Sequence, residues 1–250
     1  MNSRTYIIAE IGGNHNGDLN IAKKLIFEAK KMGVDAVKFQ TFNPYELTLS
    51  NNLLAVYQKV NIKKKITPID LLKLCSLSYD YHRKLYDYCR KLNIEFMSSA
   101  FDEESLIFLK KNMKIKYHKL PSGEITNARL VYLHGFFKNK LIISTGMSTV
   151  DEIFDAIGFY ICGYLKKKLI YKKLNSKNLY KKFYDIIKNK ISILHCVSNY
   201  PTKIEDSNLL NIKYLEKIFK INVGFSDHTQ SLNIPAYAVL MGAKIIEKHI

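Results

Sequence analysis

The sequence predicts a single α/β domain folded as a (β/α)₈ barrel of the TIM type. Eight short apolar segments, many of them β-branched, alternate with amphipathic segments along the chain, a pattern typical of parallel strands covered on both faces. The predicted strands cover residues 6–10, 35–40, 94–99, 116–121, 140–145, 191–196, 221–226 and 244–249. A doubly wound open sheet is the competing fold. It usually has fewer strands, and the first turn, GGNHNG, lacks the G-x-G-x-x-G spacing of a dinucleotide site.

Three predicted helices carry sequence signals of their own. In residues 20–33 one face is apolar and Gly33 ends the helix. That face consists of Ile21, Leu25, Ile26, Ala29 and Met32. Residues 102–112 begin with acids and end with lysines, the order that the helix dipole favours. In residues 148–161, Thr149 and Glu152 have capping-box spacing.

Two of the segments that connect the predicted strands are long. We also expect no helix after the eighth strand within the 250 residues. Residues 41–70 contain two prolines and a KKK run, and we interpret them as an active-site loop. The Lys- and Tyr-rich residues 160–190 are expected to extend the helix before the sixth strand, as a solvated surface insertion. We interpret residues 1–250 as a catalytic barrel that is truncated after the eighth strand. We therefore expect that the chain is a fragment or that another element covers the side left without an eighth helix.

Composition places the chain among globular proteins of a reducing compartment. Hydrophobic residues make up 47% and charged residues 24% of the 250 residues. No apolar run approaches the roughly 20 residues of a membrane span, and no export signal is present, so we expect a cytoplasmic protein without a membrane partner. The four cysteines form no C-x-x-C pair, which argues against a thiolate metal site.

The formal charge of +17 raises the alternative of a nucleic-acid partner. The lysines, however, are spread along the chain, with the densest stretch at residues 166–190, and arginine is rare. We therefore predict no nucleic-acid partner. A positive field of this size would still attract a small anionic substrate.

Polar side chains follow every predicted strand at its C-terminal end. In chain order they are Glu10; Lys38 and Gln40; Ser98 and Ser99; Lys119, Ser122, Gly123 and Glu124; Ser144, Thr145 and Gly146; His195, Ser198 and Tyr200; Ser226, Asp227 and His228; and Glu247, Lys248 and His249. In a barrel these ends form one ring, which is where such enzymes carry their chemistry. Burying so many polar groups is unfavourable unless they pair or bind a ligand, so the ring predicts an active site.

Two kinds of ligand fit this ring. His228 and His249 end neighbouring strands, so their imidazoles can converge on one divalent ion, and imidazole suits Mn, Fe, Co and Zn better than Mg or Ca. Lysines and hydroxyls form a donor-rich set that fits a phosphate and a carboxylate. This set comprises Lys38, Lys119, Ser99, Ser122, Ser144 and Ser226.

The motifs of the sequence resemble those of the sialic acid (N-acetylneuraminate) synthase family, which includes synthases of bacterial nonulosonic acids. The matching stretches are AEIGGNHNGD, AKKLIFEAKKMGVDAVKFQTF, FMSSAFD, HKLPSGEITN, LIISTGMST, LHCVSNYPT, VGFSDHT and GAKIIEKHI. They occur in family order and cover the chain except for the 160–190 insertion. The motifs PSGEITN and GMST look nearer to neuraminic or legionaminic synthases than to pseudaminic ones.

The resemblance implies an N-acetylneuraminate synthase-type transferase that condenses phosphoenolpyruvate with an N-acetylated hexosamine and releases phosphate. The sugar would be N-acetylmannosamine or a 2,4-diacetamido-trideoxyhexose. Mn²⁺, or another divalent ion such as Mg²⁺ or Co²⁺, would be held by His228 and His249. The enol carbon would attack the open-chain aldehyde polarised by the metal, water would add at C2, and phosphate would leave by C–O cleavage.

The resemblance also assigns roles residue by residue. Lys119, Ser122, Ser144, Ser198 and Ser226 would surround phosphoenolpyruvate, whereas Gln40, Tyr200 and the 41–70 loop would face the sugar. Glu10, Lys38, Ser99 and Glu124 would complete the ring, with Glu10 and Glu124 handling protons. Ser198 departs from the asparagine of some members. In the first turn, the glycines would let the chain cross the barrel mouth, and His15 is expected to make a structural hydrogen bond rather than to act as a catalyst.

The resemblance also implies a C-terminal antifreeze-like (SAF) domain, which members of the family normally carry after the barrel and which reaches across a homodimer; we expect that the 250 residues do not include it. The sequence is also compatible with two alternative functions. One is a related phosphoenolpyruvate aldol synthase that acts on a phosphorylated sugar. The other is a non-catalytic truncated barrel, suggested only by charge and truncation.

Overall fold

The computed structural model describes residues 4–48, 67–168 and 174–250. Eight parallel strands pair in chain order and close into a barrel, which confirms the predicted fold. The strands are β1 Tyr6–Glu10, β2 Ala36–Thr41, β3 Glu95–Ala100, β4 His118–Leu120, β5 Leu141–Ser144, β6 Ile191–Cys196, β7 Asn222–Asp227 and β8 Ile245–His249. Strand β4 is shorter than expected because Pro121, which has no N–H for the ladder, follows it directly.

Helices surround the barrel. They are α1 Leu19–Lys31, α2 Pro44–Leu47, α3 Pro68–Cys75, α4 Tyr79–Lys91, α5 Glu103–Asn112, α6 Ala128–Phe136, α7 Val150–Tyr164, α8 Ser176–Lys182, α9 Tyr184–Lys190, α10 Leu210–Phe219 and α11 Ile234–Leu240. Short 3₁₀ turns lie at Ser122–Glu124 and Ile204–Ser207. Within the described ranges, no helix combines the length and the apolar character that crossing a bilayer requires.

The predicted helix signals mostly hold. The side chain of Asp102 accepts a hydrogen bond from Ser105 N at the start of α5. Thr149 and Glu152 form the predicted capping box of α7. The predicted apolar face of α1 was partly wrong, because Ile21 and Met32 are exposed. The buried face instead consists of Ala22, Ile26 and Ala29, a stripe at spacings of four and three residues.

The two long connections differ from the expectation. Residues 49–66, most of the predicted active-site loop, lie outside the described residues. The insertion does not extend α7, which was the prediction. Instead α7 ends at Tyr164, Lys166 adopts a left-handed φ of 53°, and the separate helices α8 and α9 follow. The helix α8 is anchored rather than fully solvated, because the ring of Tyr180 is buried against Phe154 and Phe219.

The barrel interior is layered. Its lower part is apolar and is filled by Ile8, Ala36, Met97, Ile142, Leu194 and Ile245. The upper part is polar, as predicted from the strand ends. Strand register sets that upper layer, because it pairs Glu10 with both Lys38 and His249, and Ser226 with Glu247.

Candidate active site

A cavity of about 530 Å³ opens at the C-terminal ends of the strands. Its walls are formed by Glu10, Lys38, Gln40, Ser99, Phe101, Lys119, Pro121, Ser122, Gly123, Ser144, Tyr200, Pro201, Ser226, His228, Glu247 and His249. Eleven of the thirteen site residues expected from the sequence are therefore in the wall, from seven strands or the loops after them and from the loop after β6. The exceptions are Ser198 and Glu124.

The floor of the cavity is a buried charge network. Lys38 Nζ lies 2.6 Å from Glu10 Oε2 and 3.8 Å from Glu247 Oε2. Lys119 Nζ lies 3.6 Å from Glu247 Oε1, which also accepts a hydrogen bond of 2.9 Å from Ser226 Oγ. Each of the four charged side chains is about 5% exposed or less. Charges this deeply buried are stable only when they are paired, so the network has to remain intact for the site to keep its shape.

Glu247 is the functional residue that the sequence interpretation left without a role. The sequence places it at the polar end of the eighth strand. The signal for its role is the alternation of side chains, because Glu247 and His249 are two residues apart in one strand and therefore point to the same side. The apolar wall residues Phe101, Pro121 and Pro201 were also not predicted, because an apolar residue after a strand carries no signal for a site in the sequence.

The network separates the proton affinities of its members. Burial raises the pKa of Glu10, despite the opposing charge of Lys38. Burial acts in the same direction on Glu247, but Lys119 and then Lys38 outweigh it and hold the pKa of Glu247 at about 2. Burial and the neighbouring charge of Lys38 lower the pKa of Lys119, although Glu247 opposes them. Two carboxyls in one site with pKa values pushed apart suit different tasks, one as a proton carrier and one as a fixed charge.

The two imidazoles lie near each other beside the charge network, which Ser226 links to His228. The ring centroids of His228 and His249 are 5.8 Å apart. His228 Nδ1 lies 2.6 Å from the Val197 carbonyl oxygen, which only accepts, so Nδ1 carries the proton. The lone pair of His228 then sits on Nε2, 3.3 Å from Ser226 Oγ in the cavity wall. Ligating histidines in metal sites are commonly oriented in this way by a backbone carbonyl.

The rim places one aromatic ring beside these imidazoles. The ring centroid of Tyr200 is 4.1 Å from that of His228 and 6.0 Å from that of His249. Across the cavity, Gln40 Nε2 donates a 3.1 Å hydrogen bond to Glu10 Oε1. Gln40 and Tyr200, both expected to face the sugar, therefore stand on either side of the charged floor.

The first loop passes close to two side chains of the cavity wall, Glu10 and His249. Gly12 has a φ of 53°, and a Cβ there would lie 3.2 Å from Glu10 Oε1 and 3.6 Å from His249 Cε1. His15 holds this loop, because its Nδ1 accepts a 2.9 Å hydrogen bond from Gly17 N. The imidazole of His15 is buried and does not line the cavity, in agreement with a structural role.

Two predicted site residues lie just behind the wall. Ser198 Oγ is 3.4 Å from Ser122 Oγ, and a Cβ at Gly146 would meet it, so Ser198 packs between these two neighbours. Glu124 is half-buried in the turn after β4, and its Oε2 accepts a 2.8 Å hydrogen bond from Asn127 Nδ2. The structure does not bring the Glu124 carboxylate into the cavity wall, because Asn127 holds it at the start of α6.

Comparisons with known proteins point to one family. The sequence profile of the NeuB family matches residues 25–250. An N,N'-diacetyllegionaminic acid synthase of Legionella pneumophila is 41% identical over 98% of this chain, and one of Campylobacter jejuni is 38% identical over 98%. A pseudaminic acid synthase of Campylobacter jejuni is 35% identical over 98%. The chain spans 63%, 67% and 65% of the lengths of these three relatives.

Solved structures agree with the sequence comparison. The N-acetylneuraminic acid (sialic acid) synthetase of Leptospira borgpetersenii superposes with a TM-score of 0.80 at 30% identity, over 99% of this chain and 73% of that one. A 3-deoxy-D-arabino-heptulosonate 7-phosphate synthase from Thermotoga maritima reaches 0.62 at 12% identity, a likeness that concerns the fold alone. With a profile match over most of its length and relatives above 30% identity, this chain belongs to the NeuB family.

Proposed function

We propose that this barrel catalyses the condensation of phosphoenolpyruvate with an unphosphorylated N-acetylated hexosamine, forming a nonulosonic acid and phosphate. One observation carries the proposal. A single cavity in a NeuB-family chain holds a buried lysine and a row of hydroxyls on one wall and two converging imidazoles on another. A small substrate bound there would contact both groups at once.

The lysine and hydroxyl wall would hold the phosphate and carboxylate of phosphoenolpyruvate. It consists of Lys119, Ser122, Ser144 and Ser226. Burial lowers the pKa of Lys119, so its ammonium group is poorly compensated before substrate binds. A bound dianion would stabilise the charged form of Lys119, and donors fixed in advance would stabilise the negative charge that grows on the leaving phosphate.

The imidazole pair would hold a divalent ion. The fit rests on His228, whose Nδ1–H is fixed by a carbonyl and whose Nε2 lone pair faces the cavity. Among the described residues there is no group of three or more His, Cys, Asp or Glu side chains around one such point, so substrate oxygens or water would complete the coordination. A bound Mn²⁺ or similar ion would supply Lewis-acid polarisation of the sugar aldehyde.

Proton transfer falls to Glu10 in this proposal. Its raised pKa makes it the carboxyl that can take up and return a proton, whereas Glu247 stays ionised and holds Lys38 and Lys119 in place. Glu10 is also bonded to Gln40, on the wall proposed for the sugar. The resemblance had suggested Glu124 as a second proton carrier, and its bond to Asn127 gives that role less support.

The sugar preference follows from charge and from the relatives. A phosphorylated sugar would need a second cationic cluster. In the described part of the wall the lysines are Lys119, which this proposal assigns to phosphoenolpyruvate, and Lys38, which is paired with Glu10. The two relatives quoted at 41% and 38% identity are named as N,N'-diacetyllegionaminic acid synthases. We therefore propose a 2,4-diacetamido-trideoxyhexose as substrate, with N-acetylmannosamine as the second candidate. A homodimer in the cytoplasm would be the working form.

The test is an assay of phosphate release from phosphoenolpyruvate with Mn²⁺ and a panel of sugars, with the product identified by mass spectrometry. The panel contains 2,4-diacetamido-trideoxyhexoses, N-acetylmannosamine and a phosphorylated aldose. We expect release only with an unphosphorylated N-acetylated sugar, together with a product equal in mass to the condensed acid. Turnover with the phosphorylated aldose alone, or with no sugar of the panel, would rule the proposal out.

A further inference from the structure

A buried hydrogen-bond chain lies directly behind the wall that carries Gln40 and Ser99. His82 of α4, Thr41 of β2 and Ser98 of β3 are each 1% exposed or less. His82 Nε2 lies 2.9 Å from Thr41 Oγ1, which lies 2.7 Å from Ser98 Oγ. None of the three lines the cavity, and none belongs to the site residues assigned above.

The direction of each bond in this chain follows from its ends. His82 Nδ1 lies 3.0 Å from the Ser78 carbonyl oxygen, which can only accept, so Nδ1 carries the proton. Burial lowers the pKa of His82, so the ring is neutral and Nε2 keeps a lone pair. Thr41 then donates to His82, and Ser98 in turn donates to Thr41. The Gln40 carbonyl oxygen near Nε2 also only accepts, but at 3.3 Å it is more distant than the Ser78 carbonyl oxygen is from Nδ1, so the shorter bond decides which nitrogen carries the proton.

The hydrogen-bond chain of His82, Thr41 and Ser98 lies on the other side of the same two strands that carry the cavity residues Gln40 and Ser99. In the β2–β3 ladder Gln40 pairs with Ser99, and Thr41 pairs with Ala100. Because side chains alternate along a strand, Gln40 and Ser99 face the cavity, whereas Thr41 and Ser98 face outward into the layer beneath the helices. Aromatic rings fill that layer, since Phe39 stacks on Phe96 and the edge of His82 meets Phe108. Apolar residues are the usual occupants of such a layer, and polar groups there are stable only with every bond made.

We infer that His82 is a positioning residue: through Thr41 and Ser98 it ties α4 to the ends of β2 and β3, and so sets Gln40 and Ser99 at the spacing that sugar recognition needs. The inference rests on the proposed function for its substrate. Gln40 donates to Glu10, and Ser99 Oγ lies 3.5 Å from Lys38 Nζ, so a shift of either strand end would reach the charged floor. Small displacements of positioning groups commonly reduce the rate substantially.

The hydrogen-bond chain is tested by ¹⁵N NMR of protein labelled at its histidines. The variant His82→Gln is used to assign the His82 resonances. We expect His82 to be protonated at Nδ1 and not at Nε2. Thr41→Val removes the Thr41 hydroxyl that donates to Nε2, so the Nε2 resonance should shift while the proton stays on Nδ1, whereas Thr41→Ser should keep the wild-type Nε2 resonance. A wild-type ring protonated at Nε2, or a Thr41→Val variant whose Nε2 resonance does not shift, would overturn the inference.

The positioning role is tested by kinetics on the same variants. Thr41→Val should raise the KM for the sugar about tenfold with a smaller effect on kcat, and Thr41→Ser should restore it. Ser98→Ala should raise the KM while leaving the His82 Nε2 resonance unchanged, which separates the two bonds if one variant folds poorly. Equal kinetics for Thr41→Val and Thr41→Ser would contradict the role. If the wild-type protein turns over no sugar, the proposed function fails, and NMR alone decides the bonding of His82.

Discussion

Asp227 and Lys248 form an ion pair on the outer side of the barrel, with Lys248 Nζ 2.5 Å from Asp227 Oδ2. Each residue immediately precedes one of the two imidazoles, His228 and His249. Lys248 also donates a 2.9 Å hydrogen bond to the Thr229 carbonyl oxygen. The pair therefore fastens the end of β7 to the end of β8 and sets the spacing of the two histidines.

Asp227→Ala should lower the free energy of unfolding by about 2–4 kcal/mol, because the Asp227 side chain is fully buried and its removal leaves a lysine without its partner. It should also weaken Mn²⁺ binding, measured by calorimetry. Asp80→Ala provides the control, since Asp80 and Lys84 form an exposed pair on α4 and its loss should change little. Equal urea midpoints for the two variants would show that the buried pair contributes no special stability.

Lys119→Met should raise the KM for phosphoenolpyruvate about 100-fold, because it removes the buried cation of the anion wall. Lys38 still neutralises Glu247 in this variant, so the fold should persist. Lys244→Met, at the opposite end of the barrel just before β8, controls for a loss of overall positive charge. Similar KM values for both variants would mean that phosphoenolpyruvate is attracted by net charge and not held by Lys119.

Gly12→Ala should inactivate the protein more than it unfolds it. The left-handed φ of Gly12 should lower stability by about 1 kcal/mol, and the added methyl group would lie 3.2 Å from Glu10 Oε1, so the Glu10 carboxylate would have to shift. Gly33→Ala is the matched control, because Gly33 has a φ of 76° with no atom within 4 Å of an added Cβ. We expect similar melting temperatures for the two variants and a large loss of kcat/KM only for Gly12→Ala. Equal activity would show that the cavity does not extend to the first loop.

Acidification should destabilise the fold between pH 6.5 and 3. Burial lowers the pKa of all seven histidines, and it lowers that of His118 to about 3. In the unfolded chain the histidines bind protons once the pH falls below their ordinary pKa of about 6.5. In the folded chain they stay neutral until the pH approaches their lowered pKa values. Stability is therefore greatest above pH 6.5 and falls as the pH decreases.

Urea unfolding at pH 7 and pH 5 measures this loss. His118 and His134 are buried together, with ring centroids 5.7 Å apart. His134→Gln should reduce the difference in unfolding free energy between the two pH values by up to about 2 kcal/mol, whatever it does to stability at pH 7. An unchanged difference would mean that His134 does not titrate on unfolding in this range.

The barrel and most of its site were predictable because both depend on strand pattern. Apolar runs that end in polar residues specify parallel strands and also the edge at which those residues meet, so Glu10, Lys119 and His249 could be grouped without coordinates. The pairing partners were not predictable, because register decides them. The role of Glu247 as the counter-charge of both lysines appears only once β7 and β8 are aligned.

The errors have local causes. Ile21 is exposed because the buried stripe of α1 passes through Ala22, and an apolar count does not show which of two adjacent residues faces the barrel. The insertion at residues 160–190 was expected to continue α7. Tyr180 instead lies in the separate helix α8, and its buried ring packs against Phe219. The role of Glu124 stays a prediction, and its bond to Asn127 is a contact that the spacing of the residues cannot reveal.

The most direct test of the central claim is a crystal structure of the protein soaked with Mn²⁺ and phosphoenolpyruvate, with the ion located by anomalous scattering. The account predicts one anomalous peak shared by Nε2 of His228 and the ring of His249, and a phosphate group within hydrogen-bond distance of Lys119 Nζ. An anomalous peak away from the two histidines would contradict it. A phosphate group bound away from Lys119, with no ion at the imidazoles, would also contradict it.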